Sequence, residues 1–297
     1  MTTNLTQTIS KKLLVALLIV AIGAEILLYV SRYSYLASTL YDAVMVASIF
    51  VGMKLHPRLR DEHAAPKTKR QLTLQFTGAF LLFFLGSTII NIYSNMVFKD
   101  FSTDYDQYVQ AYTEIQSGVP ENHAPKMTPF WSFIDKIDTI GDDLYTDSLA
   151  GLEEVWRLAY IILILLVCKK LFSKRWETGS RDPFLMVALF LTSVIFGVDH
   201  TLDTESAWTV KIGTIVTFAN MGFLFGIILL WTRNLWLTVL VHSIYDITAT
   251  VSWYYLDYAV ELFALVVLIV HITLFIMEKR KNRQIRLVEN VHTNIAE

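Results

Sequence analysis

The sequence predicts an all-α, polytopic membrane protein with about eight transmembrane helices and both termini in the cytoplasm. Three observations predict this class. Of the 297 residues, 54% are hydrophobic, which exceeds the roughly 45–50% of soluble domains. The hydrophobic residues form long blocks, and a helix that crosses the bilayer core needs about 20 such residues. Basic residues collect in every second connection between the blocks.

Eight segments have the length and apolar character of a spanning helix. They are 13–30, 35–53, 72–93, 149–168, 183–200, 212–231, 235–254 and 259–277. The first also resembles a signal peptide, but its apolar run continues past any cleavage site near Ala24 to Val30, which favours a retained helix.

The connections between these segments predict the orientation. Basic residues precede the first span, follow the second, fourth and sixth, and crowd the tail after the eighth. Positive residues mark the cytoplasmic side, so both termini are expected inside the cell. The longest of the other connections, 100–148, holds ten acidic residues and two lysines. Its amphipathic stretch 128–141 is interpreted either as a helix on the outer membrane surface or above a site, or as part of a solvated loop.

The chain therefore divides into four predicted regions: transmembrane helices in 1–98, an extracytoplasmic acidic loop in 99–148, a catalytic-type core of five helices in 149–277 and a basic cytoplasmic tail in 278–297. The single cysteine, Cys168, excludes an internal disulfide framework and is expected to pack in the membrane. Phosphate-binding glycine loops, CxxC pairs and nucleic-acid modules are absent from the sequence, so no nucleic-acid partner is expected.

Several ionisable residues lie inside the predicted spans. Each costs roughly 2.5–3.5 kcal/mol on insertion scales and usually faces the bundle interior or a water-filled cavity. They are Glu25, Asp42, Glu153, Glu154, Arg157, Asp199, His200, His242, Asp246 and His271. Glu25 and Asp42 are interpreted as bundle contacts or as support for a site, and His271 as a hydrogen-bonded packing residue.

Spacing groups the charges of the fourth span. Glu153 and Arg157 are at i,i+4, and Glu154 is within reach of Arg157 at i,i+3. Adjacent helical residues point about 100° apart, so the two glutamates cannot face the same way. One is expected to bind Arg157 while the other faces a cavity, and the spacing leaves open which does which.

Two other spans carry matching pairs. Phe196 and His200 are at i,i+4 on the fifth span, as are His242 and Asp246 on the seventh. The predicted orientation brings these residues and the two glutamates to similar depths, within a turn or two, in a pocket that opens outward.

These groups suit the hydrolysis of a peptide bond inside the membrane. A carboxylate can take a proton from water as general base, and histidines can polarise the scissile carbonyl and stabilise the oxyanion. Alternatively His200 and His242 hold Zn²⁺ with a carboxylate, which lowers the pKa of bound water. No serine or cysteine is placed as a nucleophile, because Ser243 points about 100° away from its neighbour His242.

The three groups together resemble a known family. The stretches "EEVWR" (153–157), "FGVDH" (196–200) and "HSIYD" (242–246) are similar to the motifs EExxxR, FxxxH and HxxxN or HxxxD of the CAAX protease and bacteriocin-processing family of intramembrane peptidases. An eight-helix core is also typical of that family. The resemblance covers about residues 149–250.

The resemblance implies an intramembrane endopeptidase of the cell membrane that cleaves a peptide or a membrane-anchored protein. One of the two adjacent glutamates would activate water. His200, His242 and Asp246 would complete the catalytic site and support the oxyanion. The other glutamate and Arg157 would brace the site, with Phe196 in a supporting role.

The first motif departs from the family pattern, because only two residues separate Glu154 from Arg157. This spacing and Asp246 are also similar to the PrsW-like proteases, whose motifs are EExxK, FxxxE and HxxxD, whereas His200 and Arg157 favour the CAAX protease family. The short motif keeps a second hypothesis open, that of a non-catalytic bacteriocin-immunity or scaffolding protein. A proton-coupled transporter is disfavoured by the lack of clear inverted repeats and of helices broken by glycine or proline.

Overall fold

The computed structural model describes residues 1–60, 67–98, 129–202 and 208–296. Within these ranges the regular secondary structure is helical and no strand is found. The prediction of an all-α polytopic membrane protein is therefore confirmed, while the cytoplasmic position of the termini and the domain boundaries stay predictions.

Twelve α-helices account for the described segments. In chain order they are α1 (Thr2–Leu5), α2 (Lys11–Leu18), α3 (Ala24–Ser31), α4 (Tyr35–Leu59), α5 (Lys69–Val97), α6 (Pro129–Ala150), α7 (Glu153–Leu171), α8 (Ser173–Thr178), α9 (Asp182–Asp199), α10 (Trp208–Thr232), α11 (Leu235–Tyr254) and α12 (Ala259–Ala296). The π-helical turn Ile19–Gly23 joins α2 to α3, so these two form one continuous span.

Seven helical segments in the described ranges are long and apolar enough to cross a membrane. They are Lys11–Ser31, α4, α5, α9, α10, α11 and the Ala259–Lys281 part of α12. Each overlaps one of the predicted spans, and most extend it by a few residues at the ends, where polar residues continue a helix that hydropathy alone would stop.

The predicted span 149–168 corresponds to α7 and is the one that does not satisfy the same criteria. The helix has 19 residues, begins with two glutamates, contains Arg157 and ends near two lysines, so any stretch of it long enough to cross a membrane includes several charged residues. Its middle is nevertheless buried: Leu158, Ala159 and Ile162 are 0% exposed. The helix α7 packs against α4, α9 and α11, and it is therefore a central helix of the bundle.

A close approach fixes the start of α7. Gly151 connects α6 to α7, and a Cβ atom there would collide with the Val239 carbonyl oxygen and the Ser243 side chain on α11. Only glycine allows the two backbones to come this close. The first turn of α7, which carries both glutamates, is thereby held against α11.

The predicted acidic loop is described only in part. Residues 99–128 lie outside the described ranges, and 129–150 form α6, which packs along α11. The side chains of Phe130, Ile137 and Ile140 are exposed on this helix. The placement of the amphipathic stretch on the outer membrane surface stays a prediction.

Buried apolar side chains form two clusters. One surrounds α7 and includes Trp156, and the other lies where α5, α10 and α11 meet and includes Phe196 and Phe225. The polar residues of the motifs border both clusters, so packing on two sides fixes the helices that carry them.

Candidate active site

A cavity of about 590 Å³ opens among the helices and is lined by residues from all three motifs. The lining includes Glu153 and Arg157 of α7, His200 at the end of α9, and His242 and Asp246 of α11. The structure therefore brings predicted site residues from three separate helices to one cavity.

The two adjacent glutamates have different surroundings. Glu154 is 0% exposed and does not line the cavity. Arg157 donates to it through two nitrogens, Nε to Oε2 at 2.8 Å and Nη2 to Oε1 at 3.2 Å. The Nδ1 atom of His242 lies 3.2 Å from the same Oε1. This bidentate pair, closed by an imidazole, leaves Glu154 enclosed in the wall behind the cavity.

Glu153, in contrast, lines the cavity and is half-buried. Within the described ranges, no hydrogen bond or ion pair to its carboxylate is found. The ambiguity of the first motif is thus resolved geometrically, because Arg157 reaches the glutamate three residues before it and leaves Glu153 directed towards the cavity.

The tautomer of His200 follows from its backbone contact. Its Nδ1 lies 2.7 Å from the Phe196 carbonyl oxygen, which can only accept, so Nδ1 carries the proton. That carbonyl belongs to the last turn of α9, where carbonyl oxygens can accept from side-chain donors. The ring stacks on Phe218 at 3.9 Å. In this tautomer the neutral ring presents Nε2 as an acceptor.

Both nitrogens of His242 face carboxylate oxygens. Nδ1 contacts Glu154, and Nε2 lies 3.3 Å from Asp246 Oδ2 one turn along α11. An imidazolium, which donates from both nitrogens, satisfies both contacts. The ring stacks on Phe225 at 4.2 Å with an interplanar angle of 22°, so its orientation is fixed by both polar and aromatic contacts.

Phe196 links the motifs sterically. The Arg157 guanidinium carbon lies 4.5 Å from the centre of its ring, a cation–π contact. The same ring lies 5.9 Å from the ring of His242. These contacts agree with the supporting role that the resemblance implies for Phe196.

The structure also shows where the other residues considered in the sequence lie. Ser243 Oγ donates to the Ser148 carbonyl oxygen at 2.9 Å and so is bound away from the cavity. Cys168 is buried among apolar side chains, and His271 Nδ1 lies 2.8 Å from Thr77 Oγ1 in a packing contact. Glu25 lines the cavity, whereas Asp42 is exposed and does not.

Some residues that line the cavity were not predicted as site residues from the sequence. Trp156 and Tyr160 line the cavity beside Asp199. They follow Glu153 by three and seven residues, the spacing of one helix face, so this stripe was a usable signal. The interaction between the carboxyl groups of Asp199 and Glu25 was not predictable, because it joins α9 to α3.

Asp147 of α6 adds a titratable group at the α11 side of the cavity. The pKa of Asp147 is raised to about 7, chiefly by burial and in smaller part by the charges of Asp246 and Asp143, while a hydrogen bond with Thr250 opposes the shift. Its charge therefore changes near neutral pH.

The donor set does not fit the Zn²⁺ site that the sequence left open at His200 and His242. Both nitrogens of His242 already face carboxylates, so neither lone pair points to a shared ion. No group of three or more metal-binding side chains is found in the described part of the chain. The hydrolysis proposed for this site therefore uses protein side chains without a metal ion.

The fold and the site define a class: a multi-pass membrane protein whose helix bundle encloses a cavity with a glutamate and two histidines. Comparison with family models narrows it, since the type II CAAX prenyl endopeptidase Rce1-like family matches residues 152–248, which contain all three motifs. This match confirms the predicted resemblance to the CAAX protease family and, at the level of the family, supports an intramembrane protease. No curated protein and no solved structure matches the chain.

Proposed function

We propose that the protein is an intramembrane endopeptidase of the cell membrane that hydrolyses a peptide bond of a peptide or membrane-anchored protein. The observation that carries this proposal is the division of labour between the two glutamates. Glu154 is enclosed by Arg157 and His242, whereas the Glu153 carboxylate faces a cavity that also holds both motif histidines.

Glu153 is the general base of the proposed reaction. Its carboxylate takes a proton from a water molecule as the water oxygen forms a bond to the scissile carbonyl carbon. The protonated Glu153 then gives this proton to the amide nitrogen as the carbon–nitrogen bond breaks. The products are a carboxylic acid and an amine, and Glu153 returns to its starting state.

His200 orients the same water. Its Nδ1 proton is held by the Phe196 carbonyl oxygen, so Nε2 accepts a hydrogen bond from the water and directs a lone pair towards the substrate. The family resemblance implied oxyanion support for His200, whereas here His200 positions the nucleophile instead.

His242 and Asp246 support the oxyanion. Glu154 holds Nδ1 of the imidazolium, which leaves Nε2 with a long contact of 3.3 Å to Asp246. A substrate carbonyl oxygen that develops negative charge can share this proton with Asp246. Arg157 and Phe196 act through Glu154 and the imidazole, by fixing their positions.

The test compares peptides in membranes of a host that lacks the gene and expresses wild type, Glu153→Gln or an empty vector. Cleavage products should appear with wild type and fall by about 10²–10⁴-fold with Glu153→Gln, because the general base is lost. The exposed carboxylate variant Asp42→Asn is the matched control and should retain the products.

The non-catalytic hypothesis makes the opposite prediction. If Glu153→Gln processes as well as wild type, or if wild type and empty vector yield the same peptides while a protective phenotype persists, the endopeptidase proposal is wrong. The immunity or scaffolding alternative then explains the fold.

A further inference from the structure

One part of the cavity wall is not used by the proposed hydrolysis. Three aromatic side chains, Tyr41, Trp156 and Tyr160, line it together with the carboxyl groups of Glu25 and Asp199. We call these five residues the aromatic–acidic pocket. They come from four helices, α3, α4, α7 and α9, and direct contacts join Tyr41 to Trp156 and Tyr160 to Glu25.

The aromatic part is built on α7. Trp156 and Tyr160 are at i,i+4 and lie on the helix face that begins with Glu153. The ring of Tyr41 meets the ring of Trp156 edge to face, with centres 5.5 Å apart. The pocket therefore continues directly from the proposed general base along the same helix.

The acidic part has more acceptors than donors. Tyr160 donates its hydroxyl to Glu25 Oε1 at 3.1 Å, and the carboxyl group of Asp199 interacts with that of Glu25. The second oxygen of Glu25, Oε2, is buried and has no partner among the described residues. A buried carboxylate oxygen without a donor is costly, which indicates that a ligand supplies the donor.

Trp156 gives a second, independent indication of a ligand. Its side chain is only 5% exposed and lines the cavity, yet its indole Nε1 has no acceptor in the described part of the chain. Buried indole N–H groups normally find a partner. A ligand that offers both a donor for Glu25 and an acceptor for Trp156 would satisfy the two groups together.

The charge of the cavity selects a cation. In the described lining, acidic residues outnumber basic ones, and they are Glu25, Asp143, Asp147, Glu153, Asp199, Asp246 and Glu261. Apart from histidines, the basic side chain in that lining is Arg157, which is already bound to Glu154. A cation in the pocket would meet carboxyl groups and aromatic faces, both of which attract positive charge.

We propose that the aromatic–acidic pocket is a subsite for a lysine or arginine side chain of the peptide substrate. This proposal rests on the proposed endopeptidase function. The cationic group donates to Glu25 and Asp199, and Trp156 Nε1 donates to a carbonyl of the same peptide. Glu153 and Tyr160 are about 10 Å apart along α7, which places the basic residue within one or two positions of the scissile bond.

A binding experiment tests the subsite without catalysis. Two fluorescent peptides of identical apolar sequence, one with a central lysine and one with norleucine, are titrated against purified Glu153→Gln protein in detergent. The lysine peptide should bind at least about tenfold more tightly, given the strength of ion-pair and cation–π contacts in a desolvated site. Adding Glu25→Gln should bring the ratio towards one, whereas Glu25→Asp should restore part of it and Asp42→Asn should leave it unchanged.

A cleavage experiment separates the subsite from the proposed function. Wild-type protein digests a peptide library with free or acetylated amino termini, and mass spectrometry locates the cleaved bonds. Enrichment of lysine or arginine near the cleaved bond in both sets supports the subsite, and enrichment confined to free amino termini contradicts the assignment to side chains. Cleavage without basic enrichment overturns the subsite alone, whereas lysine-selective binding without cleavage overturns the endopeptidase function alone. Equal affinity for the two fluorescent peptides, including failure to bind either, contradicts the subsite.

Discussion

At the scale of single residues, the site depends on a buried charge network. Glu154 and Arg157 are both nearly inaccessible, with 0% and 2% of their side chains exposed, and His242 adds a third polar group. The free energy of desolvating the two charges offsets much of the Coulomb attraction between them. Removal of one partner is more damaging, because it leaves the other charge buried without compensation.

Replacing Glu154 should therefore destabilise the protein far more than replacing its neighbour. We expect Glu154→Gln to lower the free energy of unfolding by about 3–5 kcal/mol, because the Arg157 guanidinium loses its counter-charge. The carboxylate of Glu153 makes no hydrogen bond in the described structure. Glu153→Gln should therefore lower the free energy of unfolding only slightly. Thermal denaturation in detergent provides the measurement.

The half-buried pair of Arg70 and Glu278 supplies a matched control. Its nitrogen and oxygen are 3.3 Å apart, with about a quarter of each side chain exposed. Glu278→Gln should cost about 0–1 kcal/mol, as for solvent-accessible pairs. Equal losses of stability for Glu154→Gln and Glu278→Gln would show that the buried network does not stabilise the fold.

At the scale of helices, the packing of α9 on α10 sets the positions of both histidine rings. The helix α9 carries Phe196 and ends at His200, and α10 supplies Phe218 and Phe225, which stack on His200 and His242. Gly197 lies at the contact, where a Cβ atom would collide with the Ile215 carbonyl oxygen. The separation of these two helices therefore governs the geometry of the site.

Gly197→Ala should disturb the site without altering a polar group. The new methyl group would also lie 2.9 Å from the Ala219 backbone nitrogen, and backbone atoms cannot move aside as side chains do. We expect a loss of about 1–3 kcal/mol from overpacking, together with reduced processing as Phe218 shifts against His200. Denaturation and product analysis measure the two effects.

Gly141 in α6 is the control for that substitution, since nothing lies within 4 Å of a Cβ atom placed there. Gly141→Ala should stabilise the helix by up to about 1 kcal/mol through backbone entropy. A similar response at both glycines would mean that the close contact between α9 and α10 does not matter.

At the scale of the whole molecule, hydropathy predicted the spans well, because the apolar character of a span depends only on the residues of that span. The exception, α7, carries charged residues at its start and at its end, so any spanning stretch of it includes several of them. Spacing within helices also predicted the pair of His242 and Asp246. It could not choose between Glu153 and Glu154 as the partner of Arg157, because Phe196 and His242, which share in that choice, come from other helices.

The distribution of basic residues predicts the orientation of the bundle, and this orientation can be measured directly. The single cysteine, Cys168, is buried, so Cys168→Ala provides a background for introduced thiols. In that background we expect Lys174→Cys, in the exposed basic segment after α7, to react with a membrane-impermeant maleimide only after the cells are permeabilised. Asp257→Cys, between α11 and α12, should react in intact cells.

Labelling at residue 257 also indicates on which side of the membrane the cavity lies. Tyr255, just after α11, donates to Asp143 Oδ2 at 2.8 Å, and Asp143 lines the cavity that contains Glu153. Labelling of Asp257→Cys in intact cells would therefore place the cavity in the outer half of the membrane, where it is accessible to secreted peptides. The reverse labelling pattern would contradict the predicted orientation and would direct the cavity towards cytoplasmic substrates.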